Sequence, residues 1–269
     1  MVRFVSRPSP SLALALGFVL GLVLGPLSSA PALAAGTLLL IDPPPAQPTL
    51  SAGVTTRAWP AAPGASQQDH ALLPAFEYRT PNGFFASTDD SIGWNVAPLL
   101  MDEAGVKDWQ WGARLWPQWG RPKRLAPAGA ERTGTRVLGE LFANVQALPF
   151  LLLQSGLSLG GGQRRDGAQL ELGATTGLPL GDELIGIGLA ASYANAAQLR
   201  GSFGTGTAWQ PSRGWQDWSV AISAEHKLSE NWSVSGQWLG ARLLGDAARA
   251  PLTQSRFQPS YTVSLWRRF

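Results

Sequence analysis

From Gly214 onward the chain alternates apolar and polar positions. In one run Trp218, Val220, Ile222 and Ala224 share a face, and Asp217, Ser219, Ser223, Glu225 and Lys227 share the other. A tight turn, Ser229-Glu230-Asn231, leads to Trp232, Val234, Gly236 and Trp238 set against Ser233, Ser235 and Gln237. A last run puts Tyr261, Val263, Leu265 and Phe269 on one side. A period of two predicts strands with one apolar and one polar face. In a soluble sandwich the apolar face is the core. In a transmembrane barrel it faces lipid, and the polar face lines the interior.

The same alternation recurs upstream. Leu50 to Ala58, Ala75 to Thr80, Phe84 to Ser87, Ile92 to Leu100 and Val106 to Trp116 read as five strands. In the fifth, Trp109, Trp111, Ala113 and Leu115 point outward, with Asp108, Gln110 and Arg114 inward. Asn82-Gly83 is the strongest short hairpin signal. Residues 135–146 read as a sixth strand or a short helix. Leu151 to Gly160, Gly167 to Leu178 and Leu184 to Tyr193 are three more strands, with Gly173, Gly177, Gly186 and Gly188 on inward positions. Ala194 to Gly204 either prolongs the ninth strand or forms a short irregular extension. With the last three strands the total is roughly twelve, an even number as bacterial barrels require. The connections also sort: those on the side of both chain ends are short, and most on the opposite side are longer. The expectation is therefore an all-β, antiparallel transmembrane barrel at residues 49–269, with both termini periplasmic.

The first residues change the picture only by giving the barrel an address. Arg3 and Arg7 precede an apolar run, Leu12 to Leu24, and then Ala32-Leu33-Ala34. This predicts an export signal over residues 1–34, cleaved after Ala34. Residues 35–48, with Pro43, Pro44, Pro45 and Pro48, are a proline-rich linker. No later apolar stretch reaches helix-spanning length, so an envelope protein of this kind crosses a membrane as a closed barrel. Tyr261, Val263, Leu265 and Phe269 resemble the C-terminal signal read by the barrel-assembly machinery. The 12 Trp suit membrane–water boundaries, where the ring is apolar and its N–H wet.

The net charge of +3 falls to +1 without Arg3 and Arg7, so the high pI does not imply a nucleic-acid binder. With no cysteine there is no thiol chemistry. The two histidines, His70 and His226, supply no ligand set for a metal, and no cofactor motif is present: Gly160-Gly161-Gly162 lacks the lysine of a phosphate-binding loop. His226 near Ser229 is the one pair with the form of a base beside a nucleophile, and the sequence places no third group to orient it. Basic residues Arg121, Lys123, Arg124, Arg164 and Arg165 fall on loops expected outside, where lipopolysaccharide phosphates lie; guanidinium groups pair well with phosphate.

Two segments carry a family resemblance. Phe76-Glu77-Tyr78-Arg79-Thr80-Pro81-Asn82-Gly83-Phe84-Phe85-Ala86-Ser87-Thr88, followed by Ile92-Gly93-Trp94, resembles the early signature of the MipA/OmpV family. Leu244 to Leu252, with Phe269, resembles that family's closing segment, departing from it at Ala250 and Arg267. The resemblance implies a non-enzymatic outer-membrane scaffold. Its relatives bring a lytic transglycosylase together with a bifunctional murein synthase for peptidoglycan growth. Two other classes stay open at this stage: a small-solute channel and a lipid-modifying barrel enzyme.

Overall fold

The computed structural model describes residues 44–88, 91–96, 109–118, 134–148, 150–180, 183–206 and 208–269. The expected leader, most of the proline-rich linker and the basic loop bearing Arg121, Lys123 and Arg124 lie outside these residues. The strands are β1 (Thr49–Pro60), β2 (Gln68–Arg79), β3 (Phe84–Ser87), β4 (Ser91–Asn95), β5 (Trp109–Gln118) and β6 (Arg136–Leu148). There follow β7 (Leu151–Gly161), β8 (Gly167–Leu180), β9 (Glu183–Ala194), β10 (Gly214–Lys227), β11 (Trp232–Leu243) and β12 (Phe257–Arg268). Each pairs antiparallel with its sequence neighbours, and β12 returns to β1, closing a twelve-stranded barrel. Residues 135–146, ambiguous in sequence, are the body of β6. Two short helices, α1 (Ala196–Phe203) and α2 (Gly245–Arg249), interrupt the last long connections. The stretch expected as a strand extension or irregular segment is thus largely α1.

Thr49 and Arg268 lie at one end of the wall, here called proximal; the other end is distal. The proximal connections around Pro81, Phe150 and Ser229 are tight. Gly83 takes φ +88° in its turn and donates to Thr80 O, a conformation that favours glycine. The distal connections after β9 and β11 are the longer, helix-bearing ones.

The pleat has the expected sense. Outward positions Leu115, Val137, Leu141, Leu157, Leu172, Leu189, Ile222 and Val263 are 38–63% exposed. Left in water, so much contiguous apolar surface would cost about 25 cal/mol per Å²; it is a lipid-facing band. Aromatic rings gather at both its edges. Proximally, Phe84 meets Trp94 edge-on at 5.4 Å; distally, Tyr193 meets Trp215 at 5.6 Å. An even-stranded closed sheet with such a band and girdles is an outer-membrane-type barrel.

The closing seam between β1 and β12 is held by more than its ladder. Inside, Ser264 Oγ donates to Thr55 Oγ1 at 2.8 Å, both residues being buried. At Gly53 an added Cβ would sit 1.9 Å from Leu265 O, so the seam closes to this distance only over a residue without a side chain. Beyond Arg268, the Phe269 N–H donates to Leu50 O, extending the seam by one bond.

The lumen has two unlike halves. Beside β2–β6 it is filled: Phe85 and Phe142 are buried against each other with centroids 6.3 Å apart. Next to them Arg114 Nε and Nη2 reach Glu140 Oε1 at 3.0 and 2.7 Å, and Ser158 Oγ donates to Glu140 Oε2 at 2.8 Å. Beside the proximal halves of β8 and β9 the inward positions are small: Gly177 faces Gly186 in register, and Gly173 faces Ala190, with Glu171 on the distal side of them. At the distal end α1 and α2 pack over these strands through Leu199, Phe203 and Ala247, which form one buried cluster with Ala194, Leu243 and Ala250.

Candidate functional site: the proximal mouth

The alternation that builds the wall also builds the mouth. At proximal strand ends the inward positions are Ser51 and Glu77, paired in register, then Glu225 and Ser235, then Lys227 and Ser233. Trp266 and Arg268 share the inward parity of Ser264 on β12. With the 228–231 turn and Pro45 of the linker, these residues enclose an open concavity of about 990 Å³. Glu77 and Arg79 neutralise one another, at 2.6 Å between Arg79 Nη2 and Glu77 Oε1. Among the described residues no ion pair joins Glu225, Lys227, Glu230 or Arg268. The rim therefore offers both signs of charge, serine hydroxyls and the Trp266 ring. This mixture suits a polar macromolecular or glycan surface better than an apolar ligand.

The residues singled out in the sequence are placed as follows. Tyr261, Val263 and Leu265 face outward on β12, and Phe269 follows β12 at 68% exposure. The Arg267 guanidinium lies 5.0 Å from the Phe269 ring and 5.8 Å from that of Trp232. Arg164 and Arg165 are exposed on the distal β7–β8 loop, and Arg165 holds φ +64°. They lie at the opposite end of the barrel from the mouth; Arg121, Lys123 and Arg124 are outside the described residues. Among the described residues no cluster of His, Asp or Glu could hold a metal ion.

His226 is on the outward parity of β10, half-exposed, and its Nδ1 lies 2.9 Å from Glu183 Oε1. That acid is not legible in the sequence, because β9 and β10 are joined by a long connection. Ser229 sits in the turn, where its N–H donates to Trp232 O. No hydrogen bond joins His226 to Ser229 among the described residues, so the two are not assembled as base and nucleophile.

The segments that carried the family resemblance now have places. Phe76 to Thr88 is the end of β2, its proximal hairpin and β3; Leu244 to Leu252 is the α2 connection. Residues 52–269 match the family model described as "MltA-interacting protein MipA". No curated protein matches the chain by sequence. Among solved structures it is similar to the NanC porin, at 8% identity and TM-score 0.39, covering 82% of this chain and 99% of that one. It is also similar to the COG4313 outer membrane channel from Pseudomonas putida F1, at 8% identity and TM-score 0.41, covering 86% and 100%. A structure titled "Bacterial polysaccharide outer membrane secretin" is similar at 10% identity and TM-score 0.41, covering 82% and 98%. At these values the likenesses do not bear on function.

Proposed function

The chain belongs to the MltA-interacting protein MipA family, and we propose that it is a docking barrel whose proximal mouth faces the periplasm. There it holds a lytic transglycosylase and a bifunctional murein synthase close together at the inner surface of the outer membrane. The family description supports the first partner. The observation that carries the reading is the open mouth itself, polar and charged, beneath a lumen that is half filled by Phe85, Phe142 and the Arg114–Glu140 pair. A scaffold needs surface and not a nucleophile: two enzymes held on one rim act at raised effective concentration. Rim charges on flexible side chains steer the encounter, so salt should weaken it.

The channel reading has less support. A conducting pore needs a continuous polar path, and here α1 and α2 pack an apolar cluster over the distal ends of β9–β11. The enzyme reading has the His226–Glu183 contact in its favour and the displaced Ser229 against it.

The test is binding of each purified murein enzyme to the barrel in nanodiscs, measured by interferometry. Lys227→Glu with Arg268→Glu should weaken capture of the transglycosylase at least tenfold. Arg256→Glu, an exposed distal change of the same kind, should leave it unchanged. Absence of binding to either enzyme overturns the proposal, and equal loss from both variants moves the contact away from the mouth. Loss of a lipid hydrolysis activity in His226→Ala with Ser229→Ala would put the enzyme reading in its place.

A further inference from the structure

The distal end carries a second concavity, which the docking reading does not use. It holds about 330 Å³, at the lower edge of the ~300–1,000 Å³ range of small-ligand clefts. One wall is the β7–β8 loop, with Gln163, Arg164 and Asp166. The other is α1 and the segment after it, with Arg200, Trp209 and Gln210.

Glycines let the two walls meet without side chains between them. A Cβ on Gly201 would lie 2.8 Å from Gly162 Cα, and one on Gly162 would lie 2.8 Å from Ala197 O. Gly162 also takes φ +69°. Asn195 then ties the seam. Its Oδ1 accepts the Gln198 N–H at 2.8 Å and caps α1, while its Nδ2 donates to Asp166 O at 2.9 Å. The loop and the helix are thus one rigid unit, and the cleft is formed before anything binds, which lowers the ordering cost of binding.

Its two arginines stand free of acidic partners. No ion pair involves Arg164 or Arg200 among the described residues, and both side chains are exposed. Trp209 packs on the α1–α2 cluster and presents part of its ring to the cleft; its Nε1 is buried without a hydrogen-bond partner among the described residues.

We propose that this cleft binds a phosphorylated sugar. Arg164 and Arg200 pair with the phosphate oxygens, since guanidinium groups match them in charge and planar geometry. Gln163, Gln210 and the Asp166 carboxylate hydrogen-bond ring hydroxyls. The Trp209 ring gives the sugar an apolar wall. The chemistry is shared by a free sugar phosphate and by the phosphorylated glucosamine headgroup of a lipid, and the test separates them. The proposal stands apart from the docking reading, because its residues are all distal.

The experiment uses the full barrel in detergent micelles, with its fold checked by heat-modifiable migration. Binding of glucose 1-phosphate, glucose and inorganic phosphate is measured by calorimetry, and that of lipid A and its dephosphorylated form in mixed micelles. Glucose 1-phosphate should bind better than glucose or phosphate alone, and Arg200→Gln should raise its Kd at least tenfold. Arg256→Gln, outside the lining, should change nothing. Binding of lipid A alone, lost in Arg200→Gln and on dephosphorylation, assigns the headgroup as the natural source. Equal binding by Arg200→Gln and the unaltered protein, or an equal loss in Arg256→Gln, overturns the proposal.

Discussion

Arg114 and Glu140 lie on neighbouring strands with side chains only 4% and 10% exposed. Replacing Arg114 with Leu removes two donors, at 3.0 and 2.7 Å, from Glu140 Oε1 and leaves Ser158 as the partner of that carboxylate. Its Oε1 also lies close to Gly156, where a Cβ would be 3.1 Å away, and that residue has no side chain to replace the lost donors. Stripping one partner from a buried pair costs about 3–5 kcal/mol, because the remaining charge is desolvated without compensation. Glu140→Leu alone should cost a similar amount by taking away the guanidinium's hydrogen-bonded partner, which leaves it the Trp116 ring at 5.8 Å and the more distant carboxyl of Glu171. Removing both charges together should cost far less, about 0–2 kcal/mol, since apolar pairs of similar volume often replace buried ion pairs without loss. The single costs sum to about 6–10 kcal/mol, so on these figures the cycle should show a coupling of at least about 4 kcal/mol. The assay is urea unfolding of the refolded barrel in lipid vesicles, followed by tryptophan emission and extrapolated to water. Single variants that each cost under about 1 kcal/mol, with a double variant equal to their sum, would refute the reasoning: the lumen would then be wet enough to solvate either charge.

Other consequences follow from the pleat, the seam and the distal connection. Ile222→Arg, on the lipid face, should destabilise by about 2–4 kcal/mol if near the bilayer midplane, and Ser223→Arg, facing the lumen beside Gly186, by much less; equal costs in the same unfolding assay would mean the pleat is inverted. Phe269→Ala should lower the folded yield more than its exposure suggests, because its strand must be recognised and must close on β1; unchanged heat-modifiable protein in cell envelopes would count against the assembly signal. The Asp246 carboxyl is held down to about 2, first by its hydrogen bond from Arg249 and then by those from the Ser212 N–H and hydroxyl. A depressed folded pKa gives stability that is present above the ordinary carboxylate value and lost as pH falls toward 2. Pepsin cleavage in residues 208–213 should accordingly rise between pH 4 and 2, and Asp246→Asn should remove that pH dependence; a variant with the same profile would show the capping bonds to be idle.

How far the sequence reveals this fold depends on the element. β10, β11 and β5 are plain in it because one face meets lipid and the other a polar lumen, so every second residue reports its environment. The first half of β2 is not, because Ala71-Leu72-Leu73-Pro74 breaks the alternation. Ala71 and Leu73 face inward there, opposite Arg57 and Thr55, and Pro74 lies where β3 does not reach, so no ladder bond to β3 is lost at its missing N–H. α1 escapes notice because Ala196 to Phe203 is too short to display a helical period, and its stability comes from Leu199 and Phe203 packing under α2. The mouth is partly legible: parity alone puts Glu77, Arg79, Trp266 and Arg268 inward. The Arg114–Glu140 pair and the His226–Glu183 contact are not, because they depend on register between strands, which alternation leaves open. Arg164 was visible as a basic loop residue. Its convergence with Arg200 and Trp209 needed the glycine seam between loop and helix.

The most direct test of the docking account places a photocrosslinking residue at Ser229, in the proximal turn, or at Ala208, on the distal side, in living cells. The account predicts that Ser229 crosslinks to a lytic transglycosylase while Ala208 crosslinks to neither murein enzyme. Crosslinks to the transglycosylase from Ala208, or from neither position with both barrels folded, would contradict it.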